Sequence, residues 1–254
     1  MGARNIHSVH SKINTKGKTA LLPKIRYYFF YIHFVWQMIM MFTRWKLNPQ
    51  PKNKIIRTQL CLKIIHAIKN KYEIIGTPDL EARLILANHS SLLDIPIIET
   101  QYEQDLCWVG KSQLSGPVIG QLMKHPQHIV VDRFSKTSMI GLVKNAKKAT
   151  AKGRPIAIFP EGTRSPHDEL LPFKEGAKGL AEILKLKVQP IVIVGIKEAF
   201  DFKNHTLNYN CPIKIIYLDS LQISKESDAN WYSDLQIKMN DIYQEEIRKI
   251  REAL

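Results

Sequence analysis

From Tyr72 onward, short apolar runs alternate with longer segments in which apolar residues recur every three or four positions. The short runs are typical of buried β-strands, and the longer pattern is typical of amphipathic helices. The predicted strands are Tyr72–Ile75, Leu84–Ala87, Leu106–Val109, Ile129–Val131, Ile156–Phe159, Val188–Val194 and Ile213–Leu218. The predicted helices are Ser135–Lys152, Glu175–Leu186 and Trp231–Arg251. Strands that alternate with helices predict a layered α/β domain, which we place at residues 71–254.

The N-terminal part has a different pattern. Residues Tyr27–Phe42 are almost all apolar or aromatic. As a helix this run is about 24 Å long, at about 1.5 Å per residue, and is shorter than the hydrocarbon core of a bilayer, which is about 30 Å thick. The residues that flank it, Arg26, Arg44, Trp45 and Lys46, are of the types that anchor a helix at lipid headgroups.

A second N-terminal segment, Ile55–Ile68, is amphipathic. Its polar residues recur in three- and four-residue steps as Gln59, Lys63, His66 and Asn70. The prolines within residues 48–51 separate it from the first segment. We therefore predict a membrane-associated helical hairpin at residues 24–70, partly sunk in one leaflet, and a basic, disordered tail at residues 1–23. A soluble pair of core helices is the alternative.

The positive charge of the chain is concentrated in this N-terminal part. The net charge is +14 at pH 7, and no Asp or Glu precedes Glu73. A basic segment of this kind binds either nucleic acid or an anionic membrane. Long apolar runs, rather than isolated stacking aromatics, separate the charges. We therefore predict a phospholipid surface as the partner, and no nucleic acid.

The segment Asn88–Asp94 follows a predicted strand and sets an imidazole, His89, five residues before a carboxylate, Asp94. Residues five apart do not share a helix face, so His89 is predicted on the turn before a helix and Asp94 in its first turns. Ser90 or Ser91 is the predicted N-cap. The Asp94 carboxylate can then accept a hydrogen bond from one ring nitrogen and leave the other free as a base. The alternative is an ordinary helix cap beside a surface carboxylate.

A second segment, Phe159–Ser165, begins where another predicted strand ends. It contains Gly162, and a turn of this kind brings backbone N–H groups close to a ligand. Arg164 can bind a phosphate through two parallel hydrogen bonds. The alternative is an ordinary turn with solvated charges.

Together the two segments resemble the motifs of the glycerolipid acyltransferases, and among them those of the 1-acylglycerol-3-phosphate acyltransferases. The first motif of that family, Asn-His-x4-Asp, is matched at Asn88, His89 and Asp94. Another, Phe-Pro-Glu-Gly-Thr-Arg-Ser, is matched without a change at Phe159–Ser165. The resemblance covers Tyr72–Phe200 and implies a mixed sheet flanked by helices. In bacterial members of the family, a membrane-bound pair of N-terminal helices precedes this domain.

The resemblance implies acyl transfer from a thioester to the sn-2 hydroxyl of 1-acylglycerol 3-phosphate (lysophosphatidic acid), which gives phosphatidic acid for phospholipid synthesis. His89 is expected to act as general base, and Asp94 to orient it and stabilise its charged form. Histidine, with an ordinary pKa of about 6.5, suits this step near neutral pH. The expected co-substrate is an acyl thioester of coenzyme A or of acyl carrier protein, and no bound cofactor is expected.

The same resemblance names the residues expected to bind substrate. They are Lys111, Arg133, Glu161, Gly162, Thr163 and Arg164. Arg164 is the first choice for the acceptor phosphate, Arg133 the second and Lys174 the third. Lys111 is expected to stabilise the developing oxyanion or to hold phosphate. Glu161 is expected to orient Arg164 or the glycerol hydroxyl.

Two further motifs of the family are changed here. The second usually reads Gly-x-Ile-Phe-Ile-Asp-Arg. In the chain this is Gln127–Arg133, in which the Gly and the Phe are missing and the Asp-Arg end, which in the family helps hold the acceptor headgroup, is kept. The fourth usually reads Pro-Ile-x-Pro, and the chain has Pro190–Ile193 with a single proline. The changes leave alternatives open: glycerol 3-phosphate or another lysophospholipid as acceptor, or a non-catalytic lipid-binding protein of the same fold.

The cysteines, Cys61, Cys107 and Cys211, are widely spaced, which argues against a disulfide framework and for a reducing compartment. His89 and Asp94 lack further ligands at zinc spacing, so no metal is predicted. With the basic, apolar N-terminal part, these features predict a membrane-associated protein at the cytoplasmic face of the cell membrane.

Overall fold

The structure is a computed structural model that describes residues 21–47, 53–112, 123, 127–132, 137–166 and 168–254. The helices are α1 (Leu21–Leu47), α2 (Asn53–Ile68), α3 (Asp94–Gln101), α4 (Ser138–Ala151), α5 (Glu175–Leu184), α6 (Ile196–Ala199) and α7 (Trp231–Glu252). The strands are β1 (Tyr72–Ile75), β2 (Leu84–Ala87), β3 (Cys107–Lys111), β4 (Ile129–Val131), β5 (Ile156–Ile158), β6 (Lys187–Val194), β7 (Phe200–Asp201), β8 (Thr206–Leu207), β9 (Ile213–Tyr217) and β10 (Leu221–Gln222).

The main sheet has the strand order β1-β9-β6-β2-β5-β3-β4, and β10 pairs with the beginning of β6. Strands β6, β2, β5, β3 and β4 are parallel to one another, whereas β9 and β10 run antiparallel to β6. The sheet is therefore mixed, and helices pack against it. This confirms the predicted α/β fold class.

The centre of the sheet explains the continuous apolar runs in the sequence. Every residue of β2 and β5 is buried, and so is every residue of β6 after Lys187. Parallel strands that are covered on both faces expose neither face to solvent. Their sequences are therefore unbroken apolar runs, without an alternation of apolar and polar residues.

The predicted strands are all present, with small differences at their ends. The predicted helices are present too, and the first of them begins at Ser138, after residues 133–136, which lie outside the described part. Sequence reasoning missed α6, β7, β8 and β10, because elements of two to four residues are too short to show a periodicity.

Helix α1 begins at Leu21, inside the segment 1–23 that was predicted as a tail. One face of α1 packs on the α/β domain, where the Tyr27 and Phe30 rings lie 5.2 Å and 5.1 Å from the Phe200 ring. The opposite face is apolar and exposed. Its large side chains are Phe29, Ile32, Val35, Trp36, Ile39 and Met40. α1 is thus docked on one side and without a described protein partner on the other.

Helix α2 exposes the predicted polar residues Gln59, Lys63 and His66. It also exposes Ile55 and Leu62 and buries Arg57, so its amphipathic pattern is weaker than predicted. Asn70 does not belong to this polar stripe. It follows the end of the helix, is buried, and its side-chain amide donates to the carbonyl oxygens of Asn208 and Cys211 at 2.7 Å and 2.6 Å. Asn70 was misassigned because periodicity alone does not show where a helix ends.

Within the described residues, no helix combines the length and the apolar character that crossing a bilayer requires. The division into tail, hairpin and domain, and the placement of the hairpin in one leaflet, stay predictions.

Candidate active site

The candidate site lies along one edge of the sheet. β2, β5 and β3 are parallel, so their carboxyl ends meet at the same edge. β2 leads into His89, β5 leads into Phe159, and β3 ends at Lys111. Ligands of α/β sheets bind outside the carboxyl ends of the strands. The two motifs, seventy residues apart in the chain, therefore meet because their strands are neighbours.

His89 and Asp94 form the predicted pair. The His89 Nδ1 atom lies 2.8 Å from Asp94 Oδ2, and Asp94 is the first residue of α3. Oδ2 also accepts the backbone N–H groups of Ser90 and Ser91, at 2.7 Å and 2.8 Å. A carboxylate oxygen that already accepts two N–H groups acts as an acceptor toward the imidazole too. Nδ1 is therefore the donor and carries the proton. In the neutral ring, Nε2 is then the nitrogen without a proton and can act as a base.

The predicted serine N-cap is wrong. Helix α3 starts after Leu93, which makes no side-chain capping bond. The Asp94 carboxylate instead reaches back from the first helical position to the amides of Ser90 and Ser91. A carboxylate in the first turn is favourable because it faces the positive end of the helix dipole. The local chain thus holds the carboxylate beside the imidazole.

Asn88 has a structural task that the sequence did not reveal. Its side-chain amide donates to the carbonyl oxygen of Ile193 at 2.9 Å, and its Oδ1 accepts the Ile193 N–H at 2.7 Å. The Asn88 side chain therefore pairs with β6 as a backbone segment would, just where β2 ends. This fixes the start of the loop that carries His89.

The loop after β5 holds the backbone of His89 on both sides. The His89 N–H donates to Glu161 Oε1 at 2.7 Å, and the His89 carbonyl oxygen accepts the Ser165 N–H at 2.8 Å. The Phe159 ring stacks on the imidazole at 3.9 Å between centroids and an interplanar angle of 8°. His89 is thus fixed by its ring nitrogen, its ring face and both backbone polar groups.

Glu161 lies behind the site rather than in it. It is 1% exposed, and its second oxygen, Oε2, accepts the Leu171 N–H at 2.8 Å. Burial raises the pKa of Glu161 to about 7, against the effect of the two N–H donors and of the Lys197 charge. Both oxygens bind backbone amides, and Glu161 is not among the residues that line the cavity in front of His89; its predicted contact with Arg164 or with substrate stays a prediction. Glu161 braces the His89 loop.

A cavity of about 490 Å³ opens in front of His89. Its wall is mainly apolar and is formed by Leu92, Ile95, Trp108, Val109, Met123, Val131, Met139, Leu142, Ile158, Phe159 and Ala177. Lys111, Arg164 and Lys174 also line it, and Arg164 and Lys174 are exposed. The cavity therefore joins an apolar interior to a cationic rim, with His89 in its wall.

Four of the six residues predicted to bind substrate line this cavity. Lys111, Gly162, Thr163 and Arg164 all line it. The Gly162 N–H donates to the Phe159 carbonyl oxygen at 2.9 Å, and Gly162 has φ +70°, so the glycine serves the turn itself. Arg133 lies outside the described residues. The roles of these residues toward substrate stay predictions.

Lys197, in α6, is a charged neighbour of the site that sequence reasoning did not single out. Burial lowers the pKa of Lys197, and the carboxylates of Asp168, Glu198 and Glu161 act in the opposite direction. One feature of the sequence could have identified it: Lys197 follows β6 directly and so lies at the same edge of the sheet as His89. Lys197 places a positive charge near the buried carboxylates.

The described residues contain no group of three or more His, Cys, Asp or Glu side chains that could hold a metal ion. Metal-free chemistry stays a prediction.

Comparisons with known proteins agree with this geometry. A family model described as Acyltransferase matches residues 70–194. The chain is 37% identical over 173 residues to the 1-acyl-sn-glycerol-3-phosphate acyltransferase of Helicobacter pylori strain J99, covering 67% of this chain and 72% of that protein. It is 29% identical over 211 residues to the protein of the same name from Cocos nucifera, covering 79% of this chain and 67% of that protein.

Among solved structures, the fold is similar to the crystal structure of the 1-acyl-sn-glycerophosphate (LPA) acyltransferase from Thermotoga maritima. The TM-score is 0.67 with 18% sequence identity, over 91% of this chain and 95% of that chain. At this identity the likeness shows the fold alone. The Helicobacter pylori relative, by contrast, is similar in sequence over most of both chains. The chain therefore belongs to the acyltransferase family that includes the 1-acyl-sn-glycerol-3-phosphate acyltransferases.

Proposed function

We propose that this protein is an O-acyltransferase that moves an acyl chain from a thioester to the sn-2 hydroxyl of 1-acylglycerol 3-phosphate and so produces phosphatidic acid. The observation that carries the proposal is the position of His89. Its ring is paired with Asp94 at 2.8 Å and lines a mainly apolar cavity that has cations at its rim. The relatives named for this reaction support the same assignment.

The proposed chemistry needs one base and no covalent enzyme intermediate. His89 Nε2 takes the proton of the sn-2 hydroxyl as its oxygen attacks the thioester carbonyl carbon. Asp94 stabilises the imidazolium that forms. The tetrahedral intermediate then expels the thiolate as the carbon–sulfur bond breaks, and the imidazolium returns the proton to sulfur. His89 is thereby restored, and the products are the new ester and a free thiol.

The cavity supports binding of both amphiphilic substrates. Acyl chains enter the apolar interior, where Met139, Leu142 and Ala177 exclude water. Arg164 holds the phosphate of the acceptor at the rim, with Lys174 and Lys111 nearby. Arg133 is a further candidate for the headgroup. The donor is an acyl thioester of coenzyme A or of acyl carrier protein.

We further propose that α1 and α2 place the enzyme on the cytoplasmic surface of the cell membrane. The exposed face of α1 has Phe29 at 71%, Ile32 at 66% and Trp36 at 58% exposure. Exposed apolar patches of this kind mark interaction surfaces, and lysophosphatidic acid resides in membranes. The basic residues of the first 72 positions favour anionic lipid headgroups.

The test is an assay of the purified protein with an acyl thioester and a panel of acceptors: lysophosphatidic acid, glycerol 3-phosphate and lysophosphatidylcholine. We expect phosphatidic acid from lysophosphatidic acid, and a loss of about 10²-fold to 10⁴-fold in kcat for His89→Ala. The matched control is His205→Ala, a histidine of the β7–β8 turn that does not line the cavity.

Two results would count against the proposal. Preference for another acceptor would reassign the substrate while leaving acyl transfer intact. Substantial turnover by His89→Ala would remove His89 from its role as base. Liposome flotation of both variants checks that membrane binding is unchanged.

A further inference from the structure

Glu99 is a buried carboxylate that the proposed chemistry does not use. It is 0% exposed and lies on α3, the helix that begins with Asp94. A buried carboxylate is destabilising unless other groups compensate its charge. Its partners therefore indicate why an acid is retained at this position.

Two of these partners come from α2. Lys54 Nζ lies 3.1 Å from Glu99 Oε2 and also donates to the Glu99 carbonyl oxygen at 3.2 Å. Arg57 Nε lies 3.0 Å from Glu99 Oε1, and the Arg57 guanidinium also pairs with Asp105 at 2.6 Å. The N-terminal helix pair is thus joined to α3 by a buried ionic contact, in addition to apolar packing.

The third partner is the indole of Trp108. Its Nε1–H donates to Glu99 Oε1 at 2.6 Å, a short, charge-assisted hydrogen bond. Trp108 lies in β3, and its ring forms part of the cavity wall. Since an indole has a single polar group, this bond fixes the direction in which the ring faces.

From Trp108 the contact continues to the base. The Trp108 ring lies 5.2 Å from the Phe159 ring at 30°, and Phe159 stacks on His89 at 3.9 Å and 8°. Three aromatic rings therefore follow one another from Glu99 to the imidazole. Phe159 supports the face of the imidazole that Asp94, bound at Nδ1, does not restrain.

We propose that Glu99 is a positioning residue for acyl transfer, which orients Trp108 through the indole N–H and, through Trp108 and Phe159, the ring of His89. The proposal rests on the proposed function of the site. It also makes α2 part of the active-site structure, because Lys54 and Arg57 supply the charge that lets Glu99 remain buried.

The test is a double-mutant cycle with Glu99→Gln and Trp108→Phe. Glu99→Gln leaves no cation without an acceptor, since Lys54 keeps the backbone carbonyl oxygen of residue 99 and Arg57 keeps Asp105. Trp108→Phe removes the N–H and leaves both ion pairs of Glu99 in place. Both variants are therefore expected to fold, which circular dichroism and thermal unfolding check.

We expect Trp108→Phe to lower kcat about tenfold, since small misplacements of catalytic groups have effects of this size or larger. Glu99→Gln is expected to lower kcat less. The amide oxygen of the new side chain still accepts the indole N–H, although it carries no negative charge. In the Trp108→Phe background, Glu99→Gln is expected to have no further effect on kcat. KM for the acceptor stays unchanged, a pattern that a general loss of stability does not produce.

The chain offers a matched control. Trp231 Nε1 donates to Glu182 Oε1 at 3.1 Å, and neither residue lines the cavity. Trp231→Phe and Glu182→Gln make the same chemical changes away from the site and are expected to leave kcat at the wild-type value.

An NMR measurement separates this inference from the proposed function. A ring stacked at 3.9 Å shields the His89 ring protons, and their resonances report the stack without any turnover. We expect these resonances to move in Glu99→Gln and Trp108→Phe and to stay in the controls. Additive effects of the two substitutions on kcat, or unmoved His89 resonances, would overturn the positioning role. A wild-type protein without acyl transfer would overturn the proposed function alone.

Discussion

The wall of the cavity that carries His89 and the rim that carries Arg164 are built in opposite ways. His89 is bound through Nδ1, through its ring face and through both backbone polar groups, and Asp94 is 0% exposed. Thr163, Arg164 and Lys174 at the rim are exposed. One side of the site is fixed before any ligand binds, and the other consists of charged side chains in contact with solvent.

Under the proposed function, the two sides of the site have different tasks. A base accelerates proton transfer only when it is held in place before the reaction, because reorganisation during the reaction would raise the barrier. Capture of a phosphate needs charge at the entrance, and long flexible cations supply it without a fixed geometry. Substitutions in the wall should therefore change kcat, and substitutions at the rim should change KM.

The largest effect is expected at Asp94. In Asp94→Asn the amide oxygen can take the place of Oδ2 and keep the three hydrogen bonds, but the negative charge is gone. We expect kcat to fall at least about 10²-fold. Asp94→Ala should lose activity and also stability, about 1–3 kcal/mol for each amide left without its acceptor. Steady-state kinetics and thermal unfolding of both variants check this, and an active Asp94→Asn would contradict the dyad.

At Arg164 a smaller effect is expected, and it is an effect on KM rather than on kcat. Loss of a hydrogen bond to a charged group costs about 1.5–3 kcal/mol, so Arg164→Ala should raise KM for lysophosphatidic acid about tenfold or more and leave kcat nearly unchanged. The matched control is Arg248→Ala, an exposed arginine of α7. Equal changes in KM for acceptor and donor would remove Arg164 from phosphate binding.

The burial of Glu161 behind the His89 loop can be tested by measuring stability as a function of pH. Because burial raises the pKa of Glu161 to about 7, the folded protein binds this proton more tightly than the unfolded chain does. The resulting stabilisation is complete below pH 4.5, the ordinary value for the group, and is lost as pH rises through about 7. Relative to Glu161→Gln, the wild type should lose up to about 1.4 kcal/mol of unfolding free energy per pH unit in this window. Denaturant unfolding from pH 5 to 8 measures it, and parallel curves would refute it.

The smallest effect is expected in the apolar interior. Gly176 lines the cavity, and a Cβ there would lie 4.0 Å from the Leu142 side chain, so the backbone accepts a larger residue. Gly176→Leu should fill cavity volume and lower turnover of long-chain relative to short-chain acyl donors about threefold. Gly141→Leu, at a helical glycine whose Cβ would meet nothing within 4 Å, is the control. An unchanged chain-length preference would show that acyl chains bind elsewhere.

Most helices and strands of the α/β domain could be predicted from the sequence, because the local pattern of apolar and polar residues specifies them. β2, β5 and β6 are buried on both faces, so their apolar runs are continuous, and α7 shows a regular apolar spacing. His89, Asp94 and the Phe159–Ser165 motif were also found there, since their residue types and spacing are specific. β7, β8 and β10 were not, because strands of two residues are too short to show a periodicity in the sequence.

The roles of Glu161 and Asn88 depended on tertiary structure. Nothing in the motif indicates that the Glu161 carboxylate points back to the His89 and Leu171 amides rather than to a ligand. Asn88 likewise binds Ile193, over a hundred residues away. Hydrogen bonds between distant segments are set by how the strands are ordered in the sheet.

The fold class, the family and the candidate pair of His89 and Asp94 could therefore be predicted from the sequence, because each depends on residue types in a local order. Which polar groups face the cavity and which brace it from behind was decided by the arrangement of distant segments in the fold. That decision follows from burial: a carboxylate surrounded by backbone N–H groups binds them, and only a side chain that reaches the cavity can meet a substrate.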